Sequence, residues 1–551
     1  MPTINIDRNA FERLVGKKLP TEKLKDRISY LGTDLEDVNE KDILVEIFPN
    51  RPDMLSVQGL ARAFSSFIGH KTGLRYYKVH RSNEKMIIEK SVANVRPYTA
   101  CAIVKDMNFD NEKIKEVIDI QEKLHITYGR NRKKVAIGIY PFEKIKTPIR
   151  FIAKKPEEII FQPLEFPKKI NALQILKQHP AGHDYGHLLE GKEKFPVFID
   201  ANNEVLSVPP IINSHKVGKI SEKTRDIFIE CSGFDFDIMK KCLNIIVCAL
   251  AEMGGKIHSM ELTYGNRKYI TPDLSPESIK VDIPYINRLL GLSLKDNEIK
   301  KLLERMGYGY KNKKAFVPAY RADIIHQADL AEDISIAYGF ENFKASIPRV
   351  ATVAAENKFE IFKNKISNIL VGLDLVEAST YDLTNKEFQC KRMDIDLQLI
   401  ELANSISSDY NVLRSWIIPS LMEILSNNKH HEYPQKIFTI GTIFKKNDKF
   451  ETNIEENQRL AAAIASEKTD YTAIRQVLDY LFRCMGLKYE IIEAEHNSFI
   501  DGRVGRVLIN GKKIAYIGEI NPRIITNWQL EIPVTTFELN LTELYRIINR
   551  G

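Results

Sequence analysis

FPVFIDANNEVLSVPP, residues 195–210, places two β-branched and aromatic runs on either side of Asn202-Asn203. Asn tolerates the positive φ of a tight turn, so the stretch predicts a hairpin. DIFIECSG, residues 226–233, predicts a further strand, and FDIMKKCLNIIVCALAEMGG, residues 236–255, predicts an amphipathic helix closed by two glycines. TACAIVKDM (99–107) and KKVAIGIYP (133–141) add short runs of strand composition. Together they define a mixed α+β domain over about 86–268.

Two residues apart on a strand, Glu230 and Ser232 share a face, while Cys231 points the other way toward a core. Ser207 and Asn213 flank Pro209-Pro210 a short distance upstream. A carboxylate and two hydroxyls converging with an amide are able to bind a polar ligand. The same residue types also serve as a turn cap, a loop amide and a solvent-facing acid, and no diagnostic spacing separates the two readings. His215, nearby in sequence, reads as an exposed loop residue, because chain order alone argues no triad.

Outward from this centre, residues 1–85 read as a small α/β unit. TINID and DILVEIFP are extended, VQGLARAFSSFIG is helical, and Pro49 and Pro52 bracket a turn that presents Arg51 as an exposed cation. Residues 269–347 read as strand, one long helix over YINRLLGLSLKDNEIKKLLERMG, strand, helix, a winged-helix-like module. Residues 348–551 alternate helices with strands and carry an Asn510-Gly511 hairpin turn, an antiparallel sheet with helices. The fold class is therefore α+β multidomain, as 551 residues require at about 150 residues per domain.

Lys and Arg number 80 against 73 Asp and Glu, a balance that permits an RNA partner without proving one. The six cysteines form no Cys-x-x-Cys pair, which argues against a zinc knuckle or a disulfide framework and fits a reducing, cytoplasmic setting. Charges interrupt every apolar run, the first residues included, so neither export nor membrane insertion is expected.

Asp323, Asp329, Glu332 and Asp333 fall within eleven residues, three of them on one face of a predicted helix. Such a patch suits magnesium, which takes oxygen ligands. Acids in a first helical turn also simply complement the helix dipole. Gly129-Arg130-Asn131-Arg132-Lys133-Lys134 is the densest basic run: a solvated loop in one reading, a phosphate-holding patch in the other.

Four stretches resemble the phenylalanyl-tRNA synthetase beta subunit of the archaeal and eukaryotic cytosolic type: EIFPNRPDMLSVQGLARAF (46–64), FIDANNEVLSVPPIINSHKVGKISEKTRDIFIECSGFD (198–235), PAYRADIIHQADLAEDISIAYGF (318–340) and LRSWIIPSLMEILSNNKHHEYPQKIFTIGTIF (413–444). The resemblance implies a complex of two alpha and two beta chains acting on tRNA(Phe), with ATP bound at the alpha-chain site. It implies magnesium at Asp323, Asp329, Glu332 and Asp333, and a catalytically silent class II synthetase fold in residues 348–551.

It also places a pocket that hydrolyses mischarged Tyr-tRNA(Phe) at Ser207, Asn213, Glu230 and Ser232. Many relatives have Asp-x-Thr where this chain has Glu230-Cys231-Ser232, so a structural and tRNA-docking subunit without editing is the alternative. A self-sufficient synthetase needs arginines that clamp the ATP phosphates. Arg414, Arg503 and Arg506 resemble such clamps but are read as surface or interface residues.

Overall fold

The computed structural model describes residues 2–347 and 353–549, in two compact units, 1–347 and 348–551. The first unit opens with a three-stranded antiparallel sheet in which Asp42–Glu46 lies between Thr3–Asp7 and Asp34–Val38. Asp7 ends its strand by accepting the N–H of Ala10, which caps the helix Arg8–Val15. The helix Val57–Phe67 is buried at every position except Ala63, because it packs between elements. Gly59 permits its approach to the preceding turn, where a Cβ would lie 1.9 Å from the Asp53 carbonyl oxygen.

That turn corrects one expectation. Arg51 is buried, not exposed, and donates twice to Asp53, each time at 2.9 Å. Bidentate pairing repays the desolvation of both charges. Burial alone would raise the Asp53 carboxyl, yet Arg51 holds it below the usual range.

Next come two facing sheets. The five-stranded sheet runs Val79–His80, Lys256–His258, Tyr98–Lys105, Ile227–Gly233, Val135–Pro141; the seven-stranded sheet runs Ile212–Asn213, Val205–Val208, Phe195–Ile199, Ile149–Lys154, Lys85–Ile88, Met260–Tyr264, Arg267–Thr271. Phe228, Tyr140, Phe151 and Phe198 fill the space between them. Ile227, Ile229 and Cys231 turn to the opposite face, into a core shared with the helices Asn111–Ile126 and Phe236–Glu252. The hairpin at Asn202-Asn203 forms as expected, with Asn203 at φ 61° and the Asp200 carboxylate accepting the N–H groups of Asn202 and Glu204.

The module after residue 276 has a three-stranded sheet with Lys314–Val317 central. The single long helix expected here is two, Ile283–Leu290 and Asp296–Arg305. Gly291 takes the left-handed conformation at φ 66° and ends the first, after which Asn287 binds both the N–H and C=O of Leu294.

The second unit is built on a seven-stranded sheet, antiparallel apart from the short Val376–Glu377 edge strand. Helices Lys358–Val371, Tyr471–Cys484 and Leu541–Ile548 pack on one face, and Ile418–Asn427 and Pro522–Asn527 contribute to the core of the other. Among the described residues no helix is long and apolar enough to cross a membrane.

Candidate functional site

Where the five-stranded sheet ends at Val135–Pro141 and the seven-stranded sheet ends at Val205–Val208 and Ile212–Asn213, a cavity of about 400 Å³ opens. Ile114, Ile118, Ile137, Ile139 and Ile211 supply an apolar wall. Ser207, Asn213 and Glu230 supply a polar floor, so three of the four residues singled out in this region meet at one place.

Their meeting point is a residue the sequence reading missed. The Tyr140 hydroxyl lies 2.8 Å from Ser207 Oγ, 3.3 Å from Asn213 Oδ1 and 3.2 Å from Glu230 Oε1. Its ring stacks on Phe228 at 5.6 Å between centroids, two register positions from the Glu230–Gly138 pair and so on the same face. Gly138 makes the junction possible: a Cβ there would lie 2.2 Å from Tyr140 Oη and 2.5 Å from Glu230 Oε1. The signal was present in KKVAIGIYP, where Gly138 and Tyr140 alternate onto the face that Glu230 occupies next door.

Ser232 is fully buried behind the floor. It accepts from Arg96 Nε at 3.1 Å, and Arg96 also donates to the Ser232 carbonyl at 2.6 Å. Glu230 is 2% exposed and not the solvent-facing acid that a strand pattern alone allows. Burial pushes its carboxyl up to about 8, against the opposing pull of Arg96 and of the Tyr140 and Ser232 hydroxyls. At neutral pH it is therefore mostly the neutral acid. Its Oε2 is buried without a partner. An unpaired polar atom at a cavity floor costs about 1–3 kcal/mol until a ligand satisfies it.

The rim is charged. Arg130, Asn131 and Arg132 are three successive left-handed residues, at φ 48°, 52° and 63°, a conformation that costs roughly 1–2 kcal/mol per residue without glycine. It folds Arg132 back over the cavity, where the guanidinium reaches the Ile211 carbonyl at 3.0 Å and Glu122 at 3.1 Å and covers the Tyr185 ring at 4.1 Å. Part of the basic run is thus wall, while Arg130 and Lys133 are exposed. His125 is buried and held neutral by burial. Its Nε2 accepts the Ile137 N–H at 2.8 Å, leaving Nδ1 to donate to Glu122 at 3.2 Å. His215 is exposed and Cys231 faces away, so neither serves the cavity.

The acidic cluster differs from expectation. Asp323 is paired bidentately with Arg321 at 2.8 and 2.7 Å, and Asp333 accepts from Arg321 at 2.8 Å and from the Tyr308 hydroxyl at 2.5 Å. Asp329 accepts the N–H groups of Ile325 and His326. Glu332 is raised by burial first and then by Asp333, Asp329 and Asp323, so the acids are neighbours. Their oxygens do not converge, and among the described residues no group of three or more His, Cys, Asp or Glu side chains is placed to hold a metal. Directly coordinated magnesium does not fit this arrangement, because Arg321 supplies the positive charge.

In the second unit Arg414 is buried, contrary to its reading as a surface or interface residue. Nε donates to the Thr442 carbonyl, Nη1 to Thr380 Oγ1 and Nη2 to Asp382, leaving no nitrogen without a partner. Arg503 is exposed and pairs with Glu519 at 2.7 Å, and Arg506 lies over the Tyr516 ring at 3.9 Å.

Three family models match: the Phe-tRNA synthetase beta subunit B1 domain over residues 1–70, the tRNA synthetase B5 domain over 279–340, and the phenylalanyl tRNA synthetase beta chain CLM domain over 344–541. They define a chain of the aminoacyl-tRNA synthetase class. The phenylalanine–tRNA ligase beta subunit of Pyrococcus abyssi is 41% identical over 99% of this chain and 100% of its own length, and that of Archaeoglobus fulgidus is 35% identical over 99% of each. A solved N-terminal fragment of the phenylalanyl-tRNA synthetase beta subunit from Pyrococcus horikoshii covers 61% of the chain and 99% of its own, at 38% identity and a TM-score of 0.58. The chain belongs to the phenylalanine–tRNA ligase beta-subunit family.

Proposed function

We propose that this beta subunit pairs with an alpha chain, two of each, in a complex that charges tRNA(Phe) with phenylalanine, and that its own cavity hydrolyses Tyr-tRNA(Phe) made in error. A pocket selecting phenylalanine is apolar where tyrosine carries its hydroxyl, and such a wall rejects an added hydroxyl by only about a hundredfold. A second site must therefore read the hydroxyl. The observation that carries this reading is the unpartnered Glu230 Oε2 at the floor of an isoleucine-walled cavity.

With its tyrosyl ring on the floor, the ester lies toward the rim of Arg132, Glu122 and Lys219. The lining hydroxyl and imidazole are already engaged: Ser207 is bound to Tyr140, and both His125 nitrogens are committed. Water is then the attacking group. Its oxygen adds to the ester carbonyl, the bond to the ribose oxygen breaks, and that oxygen leaves with a proton.

Adenylation, with ATP, is assigned to the alpha chain. The committed Arg414, paired Arg503 and stacked Arg506 support a silent class II fold in the second unit.

The test is deacylation of Tyr-tRNA(Phe) by the purified alpha–beta complex carrying wild-type or Glu230→Ala beta chain. Clear hydrolysis by the first and its loss in the second is expected. Background rates in both leave a structural and tRNA-docking role.

A further inference from the structure

Ser207 and Asn213 are register partners in the seven-stranded sheet, but no strand pairing joins them to Glu230 in the five-stranded sheet. One oxygen does. Tyr140 is 0% exposed, its ring is clamped against Phe228, and it is not among the cavity-lining residues, so the hydroxyl comes up from beneath the floor. A phenol has one proton to give and two lone pairs to offer. With Glu230 neutral, the assignment that satisfies most groups has Tyr140 Oη donating to Glu230 Oε1 and accepting from the Ser207 hydroxyl. The acid proton then sits on Oε2, a buried floor atom with no hydrogen-bond partner.

We propose that Tyr140 is the positioning residue of the floor, fixing Glu230 so that Oε2 presents a donor to the para-oxygen of a bound tyrosyl ring and sets the preference over a phenyl ring. This rests on reading the cavity as the Tyr-ester site. A phenyl ring leaves Oε2–H buried and unpaired, whereas a phenol accepts it. The groups facing Glu230 are Arg96, the Tyr140 and Ser232 hydroxyls and the Cys101 thiol, while the Cys231 thiol lies on the opposite face of the strand. Both thiols are raised by burial, leaving Arg96 as the charge nearby.

The experiment uses the full alpha–beta complex with beta-chain Tyr140→Phe, which keeps the ring on Phe228 and removes only the hydroxyl. Deacylation of Tyr-tRNA(Phe) and of Phe-tRNA(Phe) is followed from pH 6 to 9.5, with thermal melts to confirm folding. The preference for the tyrosyl ester is expected to fall by about tenfold or more. The alkaline limb of the tyrosyl reaction should move to higher pH, because the Tyr140 hydrogen bond is one of the interactions lowering Glu230.

Ser207→Ala, which leaves Tyr140 bound to Glu230, should lose less preference and keep the limb in place. Unchanged preference and limb in Tyr140→Phe, or an equal limb shift in Ser207→Ala, overturns the positioning role while leaving the editing reading intact. A wild-type complex that fails to deacylate Tyr-tRNA(Phe) overturns both. If Tyr140→Phe does not fold, a limb shift in Ser207→Ala still overturns the role.

Discussion

Replacing Glu230 with Gln should stabilise the first unit, by an amount that depends on pH. The carboxyl titrates near 4.5 in an unfolded chain and near 8 in its buried place. Below pH 4.5 both states hold the proton, so there is nothing to gain. Between 4.5 and 8 the unfolded chain has released a proton that the folded chain keeps, so wild-type stability falls by about 1.4 kcal/mol per pH unit. Above 8 both are ionised and the loss levels off.

The cumulative cost is about 3 kcal/mol at pH 7 and about 5 kcal/mol above pH 8. Gln carries no charge to bury and presents an amide where the acid presents its proton. Unfolding entropy of about 2 cal/mol/K per residue converts the pH 7 figure into a rise of about 4 °C in Tm for the 347-residue unit. Melting curves of the two full chains at pH 4.5, 6, 7, 8 and 9 read this directly: the difference should open from near zero and then plateau. A difference constant across that range would mean that Glu230 is not a buried neutral acid, and the argument for its donor role would go with it.

Two further outcomes follow from the packing. Gly138→Ala should cost about 1–3 kcal/mol, since the added carbon forces Tyr140 and Glu230 apart, and should abolish Tyr-tRNA(Phe) deacylation; melts and the deacylation assay check both effects. Asp323→Asn should cost about 3 kcal/mol by loosening buried Arg321, equally with and without magnesium. Melts in magnesium and in chelator decide this, and a loss seen only with magnesium would show that the acids hold the ion.

Much of the local structure was legible in the chain. The Asn202-Asn203 hairpin, the strand at Ile227–Gly233 and the opposite orientation of Cys231 follow from turn chemistry and two-residue periodicity. The long helix after residue 284 was misread because apolar spacing resumes in phase past Gly291, and only the backbone reveals the break. Arg51 and Arg414 were misread for a related reason: a cation looks solvated until its carboxylate partner is placed beside it.

What the sequence alone determined is therefore the order of modules, the element types and the residue chemistry available at 207, 213, 230 and 232. What the tertiary structure decided is which of those groups meet. Strand pairing placed Gly138 opposite Glu230 and the Tyr140 hydroxyl beneath Ser207, Asn213 and Glu230, and the loop ahead of the helix Gln327–Tyr338 set Asp323 and Asp333 on Arg321. The physical reason is that burial and pairing set the charge of an ionisable side chain, and both depend on partners distant in sequence: 67 residues for Tyr140 and Ser207, 90 for Tyr140 and Glu230.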